Sequence, residues 1–198
     1  MIKNPPLILA SSSRYRRELL DRLGIAYEAI ASDIDESSLD GETPLQTSQR
    51  LAVEKARFVA KSHPGAVVIG SDQVADLGGK KLGKPHTRER AVEQLLAMQG
   101  RTVTFYTALA VIAPDGTARE RLSATEVRMR PLSRETIEAY VDREKPFDCA
   151  GSAKIESLGI ALMESVKSDD PPSLIGLPLI ALTTLLAQSG LEVLPGLR

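Results

Sequence analysis

The stretch Ala66-Val-Val-Ile-Gly-Ser-Asp-Gln-Val-Ala-Asp-Leu-Gly-Gly-Lys-Lys-Leu-Gly-Lys84-Pro85 decides how the fold is read. It opens as a short, β-branched apolar run, the pattern of a buried strand. An unpaired charge inside a core is costly, so the strand is expected to stop before Ser71-Asp72-Gln73. Asp72 then stands at the strand's end, where an α/β sheet opens onto its ligand crevice. A hairpin turning at Gly78-Gly79 delivers Lys84 to the rigid Pro85. One carboxylate and one lysine gathered at element ends suit phosphate-ester chemistry with a metal ion. The competing reading is a surface hairpin in which Asp72 caps a neighbouring element.

Upstream, residues 6–10 read as a short strand, and Ser11-Ser12-Ser13 leads into a helix over 14–23 that Gly24 stops. The first turn carries Arg14, Arg16 and Arg17, the wrong sign for the positive end of a helix dipole. Strand, serine-rich loop and helix N-terminus together make anion-binding geometry. At about 100° per residue, Arg16 falls on the stripe of Leu19, Leu20 and Leu23, whereas Arg14 and Arg17 point outward. An inward arginine at a sheet edge is best matched by a phosphate.

A second strand is expected over 26–32, followed by Asp33-Ile34-Asp35-Glu36, which is either a solvated loop or a source of oxygen ligands for Mg²⁺. Thr43-Pro44-Leu45-Gln46 combines an N-cap threonine, proline at the first helical position and the glutamine of a capping box. The helix is expected to reach residue 62. Leu51, Lys55 and Val59 share one face of it, so Lys55 either snorkels or aims a second cation at the anion site of Arg16.

Downstream, Thr87 caps a helix to residue 98 with Gly100 as its stop. A strand over 102–113 turns at Pro114-Asp115-Gly116 and returns antiparallel over 118–130. Ser133 starts a helix to 143, and short apolar segments follow at 147–152 and 159–164. Asp169-Asp170-Pro171-Pro172 reads as a loop, 173–188 as a helix closed by Gly190, and 191–194 as a last strand. Early alternation of strand and helix, interrupted by a long antiparallel pair, implies an α/β fold with a mixed sheet flanked by helices. Without a repeat or an evident linker, residues 1–198 read as a single domain with at most two lobes around a central cleft.

Composition narrows the classes. The 198 residues are 42% hydrophobic and 26% charged with a net charge of −1, so no broad field draws nucleic acid or an anionic membrane. The single cysteine, Cys149, excludes an internal disulfide and fits a reducing compartment. The segment Met1-Ile-Lys-Asn-Pro-Pro lacks the apolar core of a leader, and no apolar run approaches membrane-spanning length, so a cytoplasmic enzyme is expected.

The remaining motifs mostly exclude. Gly78-Gly-Lys-Lys-Leu-Gly-Lys84 has P-loop spacing, but Pro85 replaces the hydroxyl residue that would hold Mg²⁺, which argues against a Walker-type NTPase. No G-x-G-x-x-G opens a helix. His63 and His86 lack the spacing of metal ligands. Cys149, with no histidine placed to activate it, reads as a small buried core residue.

Taken in order, Ala10-Ser-Ser-Ser-Arg-Tyr-Arg-Arg-Glu-Leu-Leu20, Asp35-Glu36, Glu54-Lys55-Ala56, Gly70-Ser-Asp-Gln-Val74, Gly83-Lys84-Pro85 and Ile175-Gly-Leu-Pro178 resemble the successive motifs of the Maf family over nearly the whole chain. The resemblance implies an elongated α/β fold of the Maf and ITPase-like kind, nucleotide pyrophosphatase activity and a divalent metal cation (Mg²⁺, Mn²⁺ or Co²⁺). Ser71-Asp-Gln-Val74 and Cys149-Ala-Gly-Ser-Ala-Lys-Ile-Glu156 are similar to the branch that hydrolyses 7-methyl-GTP. The branch acting on dTTP and UTP has threonine where Gln73 stands. Ser12 departs from a common threonine but keeps its hydroxyl.

By that resemblance Asp72 is the general base that activates water for attack on the α-phosphorus, and Glu36 helps it hold the metal. Ser11, Ser13, Arg16, Lys55 and Lys84 would grip the triphosphate, and Tyr15, Gln73 and Glu156 occupy base-selecting positions. N7-methylation makes guanine cationic, which an aromatic face at Tyr15 and a carboxylate at Glu156 both favour. Tyr15 also admits a plainer reading, an edge-of-core aromatic above Leu19. The expected partner is a small-molecule nucleotide, with no nucleic acid and no membrane, and a homodimer is left open. Two alternatives stand beside this: a pyrophosphatase for another base, and a nucleotide-binding regulator without turnover. Intact Asp72, Glu36 and Lys84 speak against the second.

Overall fold

A computed structural model describes residues 5–196 of the protein. The expectation about the leader falls largely on residues 1–4, outside that range. Seven strands form one mixed sheet: β1 (Leu7–Leu9), β2 (Glu28–Ala29), β3 (Val67–Leu77), β4 (Lys80–Leu82), β5 (Thr102–Ile112), β6 (Ala118–Met129) and β7 (Met163–Lys167). Their order is β2-β1-β3-β5-β6-β7, with β4 also paired to β3. β1 runs parallel to β2 and β3, and every other pair is antiparallel. Five helices flank the sheet: α1 (Arg14–Asp21), α2 (Pro44–Ala60), α3 (Arg88–Met98), α4 (Arg134–Glu144) and α5 (Leu179–Gln188). The mixed, helix-flanked α/β architecture is the one expected.

The central strand corrects the expectation about Asp72. β3 does not stop at Gly70 but continues through Ser71-Asp72-Gln73 to Leu77, with Asp72 mid-strand opposite Ala108 of β5. Two facts make this tolerable. β5 supplies a ladder partner from Val68 to Asp76, and the carboxylate is paired with Lys55. What stops near Asp72 is its other neighbour. β1 pairs with Val67–Ile69 and β4 with Ala75–Leu77, both on the edge away from β5. Residues 70–74 therefore lie in a gap between two strands, and Asp72 is at its centre.

The period-2 alternation of a strand sends neighbouring side chains to opposite faces. Gly70 and Asp72 face α2, and Ser71 and Gln73 face the segment around Gly176. Gly70 lets α2 approach closely: a Cβ there would stand 2.2 Å from the Ala52 carbonyl oxygen and 2.7 Å from the Ala56 nitrogen. α2 itself starts as expected, with Thr43 and Gln46 forming the complete capping box.

Each face has its own apolar packing. Ala52, Ala56 and Val59 of α2 cover Ile8, Val68 and Ala110, while Leu19, Leu20 and Leu182 cover Leu9, Ile69 and Leu109. Beyond the gap a third cluster joins Leu77, Leu82, Leu95, Phe105 and Ile137.

Smaller differences are local. The second strand is only Glu28–Ala29. The apolar segments after α4 form 3-10 turns at Ala150–Ser152 and Leu158–Leu162, the latter running into β7. The helix expected over 173–188 is broken: a 3-10 turn, Pro171–Ile175, ends at Gly176 (φ 129), and Pro178, without an N–H, precedes α5. Residues 191–194 form no strand, because Leu191 alone is buried there and Leu194 is 63% exposed.

Candidate active site

The gap in β3 opens into a cleft of about 740 Å³. At one end the chain leaves β1 through Ser11-Ser12-Ser13 and enters α1, whose N-terminus Ser13 caps through the Arg16 N–H. Arg16 turns inward, as its place on the helical stripe predicts. Its Nε donates to the Gly176 carbonyl at 2.9 Å and its Nη1 to Ser11 Oγ at 3.3 Å. Burial lowers the pKa of its guanidinium, opposed by the negative fields of Asp72 and Glu36. Arg17 is exposed. Arg14, expected to be merely solvated, lies 4.9 Å from the centroid of the Tyr15 ring and reaches the rim of the cleft.

On the α2 face, Lys55 is 4% exposed and does not snorkel. Its Nζ stands 2.7 Å from Asp72 Oδ1 and 3.0 Å from Glu36 Oε1. The acidic segment thus delivers Glu36 to the cleft and leaves Asp33 in solvent. Arg50 pins that segment, donating to the Ser37 carbonyl at 2.8 Å and to both oxygens of Glu42 at 2.7 and 2.9 Å.

The donor set suits a small, hard cation. Two carboxylates share one cleft, and the recorded bonds use only one oxygen of each. Mg²⁺-type ions are commonly held by one or two carboxylates with the substrate's phosphates and water completing the shell. Among the described residues, no group of three or more His, Cys, Asp or Glu forms a self-sufficient metal cage, so these two acids would depend on the ligand's own oxygens.

The opposite wall comes from the β3–β4 hairpin and the segment after α4. Lys84 lines the cleft as an exposed side chain. Lys81, which no motif singled out, also lines it and donates to Ser38 Oγ at 2.7 Å, tying the hairpin to the acidic segment. Tyr15 lines the cleft, so it is not simply an edge-of-core aromatic; its hydroxyl donates to Asp148, and burial is the main cause of its raised pKa. Gln73 is held by its amide nitrogen, which donates to Thr107 Oγ1 at 3.0 Å and to the Ser173 and Leu174 carbonyls at 2.8 and 3.1 Å. Two carbonyls can only accept, so the amide orientation is determined.

Glu156 is placed differently. It is not among the residues lining the cleft, and partial burial raises its carboxyl pKa. The carboxylate that does line the cleft beside Tyr15 is Asp148. Asp148 belongs to no motif named above, and Lys81 falls at an unspecified position of the P-loop-like spacing, so the folded chain is what assigns them to the cleft. Cys149 is at the cleft wall, half-buried, with its thiol pushed up to about 12 by burial, which leaves no thiolate at neutral pH.

Arg16, Lys55 and Lys84 share one cleft with the buried Asp72, in the gap of a mixed sheet, and this defines the class: an α/β protein with a cationic cleft of the chemistry that suits phosphate groups. The chain belongs to the Maf-like protein family, whose model matches residues 6–189. It is 54% identical to a protein of Thiobacillus denitrificans named 7-methyl-GTP pyrophosphatase, over 96% of each chain. It is 55% identical to the 7-methyl-GTP pyrophosphatase of Bordetella pertussis, over 97% of this chain and 96% of that one. Among solved structures, the Staphylococcus aureus Ham1 protein shows a partial likeness, with a TM-score of 0.47 at 19% identity over 64% of this chain and 72% of that one.

Proposed function

We propose that the protein is a nucleotide pyrophosphatase that hydrolyses 7-methyl-GTP to 7-methyl-GMP and diphosphate. The near-full-length identity to relatives of that name carries this reading. The alignment of Asp72, Lys55, Arg16 and Glu36 in one cleft supplies its chemistry.

Asp72 acts as general base. It takes a proton from a water molecule whose oxygen forms the new bond to the α-phosphorus while the α–β anhydride bond breaks and diphosphate departs. Charge accumulates on the leaving group, and Arg16, Lys55 and Lys84 offset it, with the hydroxyls of Ser11 and Ser13 adding donors. Lys55 also orients the Asp72 carboxylate through their 2.7 Å contact. Asp72 and Glu36 would hold a divalent cation (Mg²⁺, Mn²⁺ or Co²⁺), which when bound lowers the pKa of water and neutralises phosphate charge. Tyr15 and Gln73, which line the cleft, are proposed base-selecting positions, and Glu156, which does not line it, is proposed as one by resemblance alone. Gln73 presents its carbonyl oxygen to the base, because its amide nitrogen is already engaged.

No helix of the described residues is long and apolar enough to cross a membrane. A cytoplasmic setting belongs to the same proposal.

The test is release of diphosphate from a panel of 7-methyl-GTP, GTP, UTP and dTTP with excess divalent metal. The expected result is a kcat/KM highest for 7-methyl-GTP. Preference for UTP or dTTP would move the protein to another base, and binding without release would make it a regulator.

A further inference from the structure

We infer that Asp148 is a specificity-determining residue of this cleft, the carboxylate that senses the positive charge of an N7-methylated purine. The inference rests on the 7-methyl-GTP reading and deepens it. Three observations carry it.

The first is position. Asp148 lines the cleft, whereas Glu156, the acid marked out by motif, does not. The side chain is 59% exposed, so a ligand can reach it.

The second is orientation. The Tyr15 hydroxyl donates to Asp148 at 3.1 Å to one oxygen and 3.3 Å to the other. A carboxylate fixed at the hydroxyl end of Tyr15 offers a cationic heterocycle a negative charge at a set position, while the ring itself carries the Arg14 guanidinium 4.9 Å from its centroid. Gln73, in the same cleft, adds a neutral acceptor that cannot tell a cationic base from a neutral one by charge.

The third is its counter-charge. Lys154 Nζ lies 3.4 Å from Asp148 Oδ1 and 6.0 Å from the Tyr15 ring centroid, and it also donates to the Glu144 carbonyl at 3.4 Å. Its side chain is only 12% exposed, and it does not line the cleft. A ligand therefore meets the acid in front and the lysine behind it. Burial alone would raise the Asp148 carboxyl, but Lys154 and Tyr15 outweigh it and hold the group below its ordinary value, so it is an anion at neutral pH.

The two charges of this pair have opposite consequences for a cationic base. Asp148→Asn keeps the shape and an acceptor for Tyr15 but removes the negative charge. Lys154→Met removes the cation that partly cancels it. A merely structural pair, pinning the segment after α4, would lose function in the same direction with either substitution and for every nucleotide alike.

The experiment measures kcat/KM for 7-methyl-GTP and for GTP on the wild type and both variants, at low and high salt. The shared triphosphate and ribose contacts cancel in the ratio. The ratio should fall about three- to tenfold in Asp148→Asn, the scale of a partly exposed charge contact, and rise in Lys154→Met. The wild-type ratio should decline as salt is added, and that decline should vanish in Asp148→Asn. A wild type without preference for 7-methyl-GTP overturns the functional reading and this inference with it. A wild type with the preference whose ratio and salt dependence survive Asp148→Asn overturns the inference alone.

Discussion

Lys55 Nζ lies 2.7 Å from Asp72 Oδ1, and the two side chains are 5% and 9% exposed. That pair is why a charge sits in the middle of the longest parallel-paired strand. Removing Lys55 leaves Asp72 buried without its ion-pair partner, whereas Lys55 without Asp72 keeps Glu36 at 3.0 Å. Lys55→Met should lower the unfolding free energy by about 3–5 kcal/mol, measured by urea denaturation. Adding Asp72→Asn should restore part of that loss. Strictly additive costs in the double variant would mean that the two charges are not coupled.

Gly70 sets the distance between the helix that carries Lys55 and the strand that carries Asp72. A methyl there would meet backbone of α2 at 2.2 and 2.7 Å, which only movement of the helix relieves. Gly70→Ala should cost about 1–3 kcal/mol through overpacking and lower turnover more than a surface substitution of equal stability cost. Thermal melts paired with kinetics check this. An unaltered melting temperature would show that α2 can withdraw freely.

Arg16 and Arg17 are sequence neighbours with opposite surroundings. Arg16 is bonded to Gly176 and Ser11 inside the cleft, and Arg17 is exposed. Arg16→Ala should weaken nucleotide triphosphate binding by roughly ten- to a hundredfold, the scale of a charge-assisted hydrogen bond, and Arg17→Ala by far less. Titration calorimetry on catalytically silenced protein separates the two. Equal losses would contradict the inward placement of Arg16.

Much of this arrangement is legible in the sequence, for reasons that are local. The capping box at Thr43, the glycine turn at Gly78-Gly79 and the helical stripe bearing Arg16 each depend on residues a few positions apart. Sequence alone puts Asp72 at a strand end because a buried charge needs a partner, and its partner lies 17 residues upstream on a helix whose approach depends on Gly70. The break at Gly176 was hidden inside an apolar run of helical character. Its carbonyl accepts from Arg16 and Ser71, contacts that span more than 100 residues. Asp148 belongs to no motif and Lys81 sits at an unspecified position of one, so tertiary structure is what assigns them to the cleft.

Stability should also depend on acid through Glu42. Hydrogen bonds from Arg50 hold its carboxyl at about 2, below the ordinary 4.5, against the opposing effect of burial. A depressed folded-state value means that the stabilisation is fully present above about 4.5 and is lost as pH falls through about 2. Glu42→Gln should therefore be less stable than wild type at pH 7, with the gap narrowing steadily between those two values. Because Arg50 also holds the Ser37 carbonyl beside Glu36, the variant should need more divalent metal for half-maximal turnover. Denaturation curves at several pH values check the first expectation, and metal titrations check the second. A gap that stays constant down to acid would assign no stability to this carboxylate's charge.

The measurement that tests the central claim most directly is turnover of 7-methyl-GTP by Asp72→Asn, with nucleotide binding followed in the same preparation. The substitution keeps the size of the side chain and an acceptor for Lys55 but removes the base. Diphosphate release should fall by about two orders of magnitude or more, while folding and nucleotide binding persist. Turnover near the wild-type rate in a folded, nucleotide-binding variant would contradict the assignment of Asp72 as the general base.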